Sequence, residues 1–229
     1  MARTTATKRA PGRRRRPGRP SDPIPLSTIV AAARDLIAQR GYEAVSLREV
    51  AERVGVTKAA LYYHFPTKAE LYDAVLEEDA GAMVQLVAAA RLDDGGYAER
   101  LDRLGALVCD YLSARPAVAR LFLRELVGHG PYLTGAGAAR VSEILALAAA
   151  FLEAGMDAGD FAPSDARQLA VSIAGLHLFA FAAADFVEPF LGASLQGARG
   201  LAARRAAVLA QVRRLCGLPV ERAAGEHRA

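Results

Sequence analysis

The 229-residue chain has no tryptophan, two cysteines and four histidines, and this scarcity argues against several classes of protein. Cys109 and Cys216 lie far apart and belong to no CxxC pair or Cys/His cluster, which is typical of free thiols in a reducing cytoplasm. The histidines show no metal-ligand spacing. The sequence also lacks a Walker A loop, a GxSxG elbow and a dinucleotide fingerprint. We therefore expect no metal, no cofactor and no catalytic residues, and we do not expect an enzyme.

A hydrophobic run long enough to cross a membrane is missing too. The most apolar segment, residues 169–184, contains Ser172 and His177 and is shorter than the roughly 20 residues that a membrane span needs. Near the N-terminus, prolines and a glycine over 17–25 interrupt the stretch that would have to be apolar in a signal peptide. We expect a cytoplasmic protein without a membrane partner.

Charge is distributed unevenly along the chain. The formal net charge is only +4, yet the first 22 residues carry eight lysines and arginines against the single acid Asp22. This segment has almost no large apolar side chains, so we expect residues 1–22 to form a disordered basic arm. A basic arm on a nearly neutral body indicates a polyanionic partner. We also expect a flexible tail over 218–229.

The rest of the sequence predicts an all-α fold. Apolar residues recur at helical spacing, and no convincing strand pattern or internal repeat is found. Nine helices are predicted over residues 27–40, 47–54, 58–64, 68–92, 98–114, 116–127, 138–154, 165–191 and 195–216.

Two of these helices are short and joined by a tight turn. Ser46 and Glu49 form a capping box at the start of the second helix, Gly55 ends that helix, and Thr57 caps the third. A second capping box over 67–70 opens the long fourth helix. Two short helices with glycine at the turn indicate a helix-turn-helix. The residues expected in its core are Val50, Ala51, Val54, Val56, Leu61 and Phe65.

The same region resembles a known family. Residues 41–76, especially Leu61-Tyr62-Tyr63-His64-Phe65 followed by Lys68, resemble the signature of the TetR family of transcription regulators. The resemblance implies an N-terminal helix-turn-helix three-helix domain, here residues 23–76. It also implies a C-terminal helical ligand-binding and dimerisation domain, here residues 77–217.

The resemblance further implies which side chains contact DNA. The third helix would enter the major groove, where Lys58 can donate to guanine, Ala59 and Ala60 can meet a thymine methyl, and Tyr62 can contact a base or a phosphate. Tyr63, His64 and Lys68 match phosphate-binding positions. The full predicted set is Arg48, Thr57, Lys58, Ala59, Ala60, Tyr62, Tyr63, His64 and Lys68. Taken singly, Tyr63 and His64 are equally consistent with packing. Single charges such as Arg48 and Lys58 are more often ordinary solvated residues than DNA contacts.

The arm offers a second route to DNA. Its cationic residues expected to contact DNA are Arg13, Arg14, Arg15, Arg16 and Arg19. The segment from Arg16 to Pro20 resembles an AT-hook, although Pro17 interrupts the Arg-Gly-Arg-Pro order. Such an arm can follow the duplex into the minor groove. The alternative is a solvated basic tail that raises nonspecific affinity only.

The eighth and ninth predicted helices carry apolar stripes. The stripe residues are Leu169, Ile173, Leu176, Ala180 and Ala183, with Phe179, Phe181 and Phe186, on the eighth helix and Leu201, Val208, Val212 and Leu215 on the ninth. The resemblance implies that these helices pair with those of a second copy in a four-helix bundle. The alternative is that they fill the core of the monomer.

The fifth to eighth helices are expected to surround a mainly apolar ligand cavity. Its predicted lining residues are Phe122, Leu126, His129, Tyr132, Phe151 and His177. Taken singly, each of these residues is more often a core or surface residue than a ligand contact.

The leading hypothesis is a ligand-responsive DNA-binding transcription regulator. We expect a repressor that binds double-stranded DNA at a palindromic operator as a homodimer and is released by a small, mainly apolar effector. One alternative is an architectural DNA-binding protein that prefers A/T-rich sequence, and another is an enzyme with an appended helix-turn-helix. A defined palindrome favours the first hypothesis, broad A/T-rich coverage the second, and ligand turnover the third.

Overall fold

The computed structural model describes residues 24–92, 94–127 and 136–220. Within these residues the chain forms ten α-helices and no strand. The helices are α1 (Leu26–Arg40), α2 (Leu47–Val54), α3 (Lys58–His64), α4 (Lys68–Leu92), α5 (Tyr97–Ala114), α6 (Pro116–Val127), α7 (Ala136–Asp157), α8 (Ala166–Ala182), α9 (Ala184–Leu191) and α10 (Ala198–Leu215). The predicted all-α fold is confirmed.

Some of the sequence-based predictions fall outside these residues. They concern the arm over 1–22 with Arg13, Arg14, Arg15, Arg16 and Arg19, the candidate lining residues His129 and Tyr132, and the tail from 221 onward.

The short helices begin and end where their capping residues predict. The Ser46 hydroxyl accepts a hydrogen bond from the Glu49 amide at 3.3 Å, and the Glu49 carboxylate accepts one from the Ser46 amide at 2.9 Å. Gly55 ends α2 with a φ of +76°, a left-handed conformation that glycine adopts without strain. The Thr57 hydroxyl then accepts from the Ala60 amide at 3.2 Å. These contacts fix the angle between α2 and α3.

The chain buries two separate hydrophobic clusters. The first joins α1, α2, α3, the start of α4 and Leu121 of α6, and it includes Leu61, Tyr72 and Val75, which are fully buried. We call this part of the molecule the head. The second cluster lies among α4, α5, α6, α7, α8 and α10. Because α4 runs without a break through both, the predicted boundary at residue 76 falls inside a helix and stays a prediction.

In the larger part, α7 packs along α4, α8 lies against α6 and α7, and α10 packs on α5. The predicted end of α7 at Gly155 is wrong, because this helix continues to Asp157. Gly155 instead gives the Phe161 ring room to pack against the helix, since a Cβ on Gly155 would overlap that ring. Glycine here serves close packing rather than helix termination.

The predicted eighth helix is two helices, because α8 and α9 meet at Ala183 with a bend of 85°. The bend returns the chain to α5: the Glu188 carboxylate accepts from the Leu195 amide at 2.7 Å, and the Leu195 carbonyl accepts from the Ser113 hydroxyl at 2.8 Å. Leu195 is fully buried in this connection. The last helix begins at Ala198, three residues after its predicted start at Leu195.

Within the described residues, no single helix is long and apolar enough to cross a membrane. The pair α8 and α9 satisfies the length and composition together, across its 85° bend.

Candidate DNA-binding surface and ligand cavity

Helix α3 presents one face to the head core and the rest to solvent. Leu61 is fully buried and anchors the helix, whereas Tyr63 is 83% exposed. The remaining predicted contacts on this helix and at its cap are exposed as well, namely Thr57, Lys58, Ala59, Ala60, Tyr62 and His64. One buried anchor under a continuous exposed face is what a recognition helix needs to enter a groove.

Four exposed side chains of α3 are paired by two aromatic contacts. The Lys58 ammonium lies 5.1 Å from the centre of the Tyr62 ring, which is within cation–π range. The Tyr63 and His64 rings meet edge to face, with centroids 5.2 Å apart. These contacts favour defined orientations for the four side chains in the free protein.

Lys68 is positioned from outside its own helix. Its ammonium lies 4.0 Å from the centre of the Tyr42 ring and donates to the Glu43 carbonyl at 3.2 Å. Lys68 stands at the first turn of α4, so its charge adds to the partial positive charge of that helix terminus. Tyr42 is not among the residues predicted from sequence, because a lone aromatic residue after a helix carries no local signal of this contact.

One arginine of the head is predicted to contact DNA, and it lies on α2. Arg48 is exposed, and its Nε donates to the Glu52 carboxylate at 2.7 Å. The neighbouring Glu49 accepts from Arg40 of α1 at 2.8 Å, and this bond together with those from Ser46 lowers the pKa of Glu49 to about 2. The capping carboxylate therefore stays ionised and connects α1 to α2.

A buried ion pair joins α1 of the head to the middle of α4. Arg34 and Asp79 are both buried, and Nε lies 2.7 Å from the nearer Asp79 oxygen. Glu78 adds a second oxygen 3.2 Å from the guanidinium. Burial raises the pKa of Asp79 to about 6, and the adjacent Arg34 opposes this rise. The pair has no local signal in the sequence, because its members are 45 positions apart.

A cavity of about 530 Å³ lies among α4, α5, α6, α7, α8 and α10. This volume is within the range of about 300–1,000 Å³ that is usual for small-molecule sites. Its lining is formed by Met83, Val87, Leu101, Leu104, Gly105, Val108, Leu112, Phe122, Leu123, Val141, Ile144, Leu145, Ala148, Ala170, Val171, Ile173, Ala174, Gly175, His177, Leu178, Phe179 and Val212. Among the lining residues that the structure describes, only His177 has a side chain with nitrogen or oxygen.

Two predicted lining residues, Phe122 and His177, lie on this cavity. Phe151 does not line it, because its ring packs against Tyr97 and Phe161 with centroids 5.6 and 6.1 Å away. Leu126 lies in α6, but its side chain is outside the described part of the structure. Most of the wall could not be predicted from sequence, because aliphatic lining residues have the same helical spacing as core residues.

Within the described residues, the other reactive groups form no second site. Cys109 and Cys216 are free and buried, and burial raises the pKa of each thiol to about 11. Across the described segments, no cluster of three or more His, Cys, Asp or Glu residues could hold a metal ion.

Comparisons with known proteins agree with this geometry. The profile of bacterial regulatory proteins of the tetR family matches residues 29–75, and that of the tetracyclin repressor-like C-terminal domain matches residues 98–212. RutR of Escherichia coli K12, an HTH-type transcriptional regulator, is 32% identical over 145 residues, which are 62% of this chain. The match spans 66% of the length of RutR.

Solved structures share the fold. A regulatory protein of the tetR family from Rhodococcus RHA1 superposes with a TM-score of 0.67 at 24% identity, covering 85% of this chain and 97% of that one. FadR of Bacillus subtilis, solved with stearoyl-CoA, gives a TM-score of 0.66 at 19% identity, covering 81% and 96% of the two chains. The chain thus belongs to the TetR family and is a DNA-binding helix-turn-helix transcription regulator.

Proposed function

We propose that this protein is a repressor that binds a palindromic operator as a homodimer and is released when a small, mainly apolar molecule enters the cavity. The observation that carries the proposal is the position of α6. Leu121 of this helix is fully buried in the head core, and the next residue, Phe122, lines the cavity. A ligand that shifts Phe122 therefore acts on a helix that also packs in the head.

A second helix makes the same connection. The first turns of α4 contribute Leu71 and Val75 to the head core, and its later turns contribute Met83 and Val87 to the cavity wall. Since packed helices move as rigid units, a displacement at the cavity end of α4 changes the position of the head. Two reading heads must fit successive major grooves about 34–36 Å apart, so small rotations lower affinity.

The proposed dimer interface uses the face that the folded chain leaves exposed. Leu169 and Ala180 of the predicted stripe are buried in the monomer core, because α8 packs against α6 and α7. The exposed apolar residues are Val171 and Phe179 of α8 and Phe186, Phe190 and Leu191 of α9. Phe186 and Phe190 are at least 80% exposed, and aromatic groups so exposed favour an interface. A second copy is the occupant that a palindrome requires.

For DNA contacts, we propose the residues on the exposed faces of the head. Lys58, Ala59, Ala60 and Tyr62 would read bases. Phosphates would be bound by Arg48, Thr57, Tyr63, His64 and Lys68, and the arm would add Arg13, Arg14, Arg15, Arg16 and Arg19. This activity requires the cytoplasm, where the chromosome is.

The apolar effector is supported by the lining of the cavity and by one neighbour of the same fold. FadR of Bacillus subtilis was solved with stearoyl-CoA, a molecule with a long apolar chain. The cavity here is walled almost entirely by aliphatic side chains and holds about 530 Å³.

Genome-wide footprinting of the purified protein tests the operator, followed by titration of the best site. The proposal predicts protection of a two-fold symmetric sequence and one dimer bound per site. Broad coverage of A/T-rich DNA without a palindrome would contradict it and favour an architectural role. Conversion of a bound ligand into product would instead favour an enzyme.

Removing residues 1–22 separates the arm from the head. If half of the eight cations engage phosphates, the slope of log affinity against log salt should fall by about 3 to 4 per subunit, while the palindrome is still recognised. Loss of a preference for A/T-rich flanks would support minor-groove binding, because narrow grooves attract arginine. An unchanged slope would show that the arm makes no contact with phosphates.

A further inference from the structure

The cavity is open along one side of α8. Val171 and Phe179 line it and are nevertheless 55% and 57% exposed. Ala174 and Gly175, which lie between them, also line the cavity and are also exposed. A Cβ added to Gly175 would meet no atom within 4 Å in the described part of the chain, its own helix backbone aside. Because residues three, four and eight positions apart share one face of a helix, these four residues form a continuous row, which we call the mouth of the cavity.

The mouth continues into the exposed aromatic face of α9. The Phe179 carbonyl accepts a hydrogen bond from the Ala183 amide, and the Ala183 carbonyl accepts one from the Phe186 amide, each at 2.9 Å. Phe179 and Phe186 therefore lie in two successive turns, on either side of the bend. Phe190 follows Phe186 by four residues and shares its face of α9. Val171 and Phe179 thus belong both to the mouth and to the face proposed for the dimer.

This surface is large enough to hold a second copy. A phenylalanine covers about 150–250 Å², so the exposed fractions of Phe179, Phe186 and Phe190 leave roughly 450 Å² of aromatic surface open in each copy. Two copies that cover these rings would bury about 900 Å² from the rings alone. Val171, Leu191 and the polar groups around them would bring the total into the range of about 1,200–2,000 Å² that stable interfaces bury.

A two-fold dimer brings the same patch of both copies together. The α8–α9 face of the second copy would then lie over the mouth, where its apolar side chains replace water. A molecule in the cavity would contact both copies through the mouth. In a single copy, the part of that molecule at the mouth stays in water.

Building on the dimer and the apolar effector of the proposed function, we propose that the second copy completes the cavity, so that the effector binds the dimer more tightly than the monomer. Covering roughly 55 Å² of apolar ligand surface is enough for a tenfold gain in affinity. Because linkage is reciprocal, two occupied cavities then tighten the dimer about 100-fold. The effector therefore releases the operator as an intact dimer.

The probe for this proposal is N-phenyl-1-naphthylamine, an uncharged apolar fluorophore, titrated into the full-length protein. Ala148→Phe fills the cavity from α7 and should abolish the fluorescence signal, which assigns that signal to the cavity. In sedimentation of the parent protein, saturating probe should lower the dissociation constant of the dimer about 100-fold. An unchanged dissociation constant would overturn the proposal.

One variant compares the monomer with the dimer. Phe186→Glu places a charge in the dimer face and leaves the mouth intact, since Phe186 does not line the cavity. We expect a helical monomer that binds the probe about tenfold more weakly than the parent. Leu26→Glu is the matched control, because Leu26 is a 48% exposed residue of the head, and it should bind the probe like the parent. A folded monomer that binds the probe as tightly as the parent dimer would overturn the proposal.

A measurement on the dimer alone decides the matter if Phe186→Glu fails to fold or stays dimeric. Ala174 at the mouth and Ala146 on α7 are both exposed in one copy, but Ala146 does not line the cavity. In the dimer, Ala174→Cys should react with a charged methanethiosulfonate at least about tenfold more slowly than Ala146→Cys, since Cys109 and Cys216 are buried and do not compete. Equal rates would overturn the proposal, as would protection that persists in a sample diluted to monomer.

These outcomes separate the inference from the proposed function. A parent protein that sediments as a monomer removes the proposed dimer, and a parent that binds no probe in the cavity removes the apolar effector. The inference fails with either. If the dimer and the probe site both stand and only the difference between monomer and dimer is missing, the inference alone fails.

Discussion

Replacing Asp79 by alanine should destabilise the protein strongly, because it removes the main partner of a buried arginine. Asp79 is 1% exposed and Arg34 8%, and Nε lies 2.7 Å from the carboxylate. Removing one member of a buried ion pair leaves an uncompensated charge, which costs about 3–5 kcal/mol. For a chain of this size, that cost lowers the melting temperature by about 6–20 °C.

Circular dichroism at 222 nm during heating and during urea unfolding measures this effect. The urea midpoint should fall while the slope of the unfolding free energy against urea stays unchanged. Glu78→Ala is the matched control, since Glu78 bonds the same guanidinium at 3.2 Å but its side chain is 47% exposed. We expect that control to cost at most about 1 kcal/mol.

A double variant separates the unpaired charge from lost packing. Arg34→Met with Asp79→Leu replaces the pair by apolar side chains and should recover most of the stability lost in Asp79→Ala. The reasoning would be refuted if Asp79→Ala cost no more than Glu78→Ala. It would also be refuted if the double variant were less stable than Asp79→Ala.

Three further predictions address DNA, packing and assembly. Lys68→Ala should weaken binding to all sequences about equally and reduce the salt slope by about one, and an unchanged salt titration would exclude a phosphate contact. Gly155→Ala should cost about 1–3 kcal/mol in urea unfolding, because its methyl group overlaps the Phe161 ring. Gly81→Ala, with open space at its Cβ, should be neutral or stabilising, and equal effects would contradict the packing argument. Phe186→Glu should shift sedimentation at micromolar concentration from dimer to monomer without loss of helicity, and a persistent dimer would place the interface elsewhere.

The head could be predicted from sequence because its signals are local. The capping contacts of Ser46, Glu49 and Thr57 act within one helical turn, and Gly55 fixes the turn by its own conformation. Such features determine helix boundaries whatever the rest of the chain does. The predicted α2 and α3 are accordingly confirmed to the residue.

The larger part was less predictable because long-range contacts decide its details. The break at Ala183 falls among alanines with no glycine or proline beside it, and the contacts that follow it along the chain join Glu188 to Leu195 and Leu195 to Ser113. Gly155 resembles a helix end in sequence, yet it stays helical because Phe161 fills the space beside it. Neither outcome has a signature within one helical turn.

The residues that line the cavity could not be predicted from local sequence either. Helical spacing alone does not distinguish the wall of a cavity from a filled core, so Phe151 and Phe122 were equivalent candidates in the sequence. The structure places the Phe151 ring against Tyr97 and Phe161 and Phe122 at the cavity. Which face of α8 stays exposed was likewise decided by its packing on α6 and α7.

The central claim is that an occupied cavity weakens operator binding, and a covalent occupant tests it directly. Ala148 of α7 lines the cavity, whereas Glu153 on the same helix is exposed. Ala148→Cys and Glu153→Cys can each be labelled with octyl methanethiosulfonate, because Cys109 and Cys216 are buried and their raised pKa values of about 11 make them unreactive.

Operator affinity is then measured for both variants before and after labelling. The account predicts that the label at position 148 lowers affinity by about 5- to 150-fold, the usual range of coupling between two sites. The label at position 153 should leave affinity unchanged. Unchanged affinity with the cavity filled at position 148, in a dimer that remains folded, would contradict the claim that this cavity controls the reading heads.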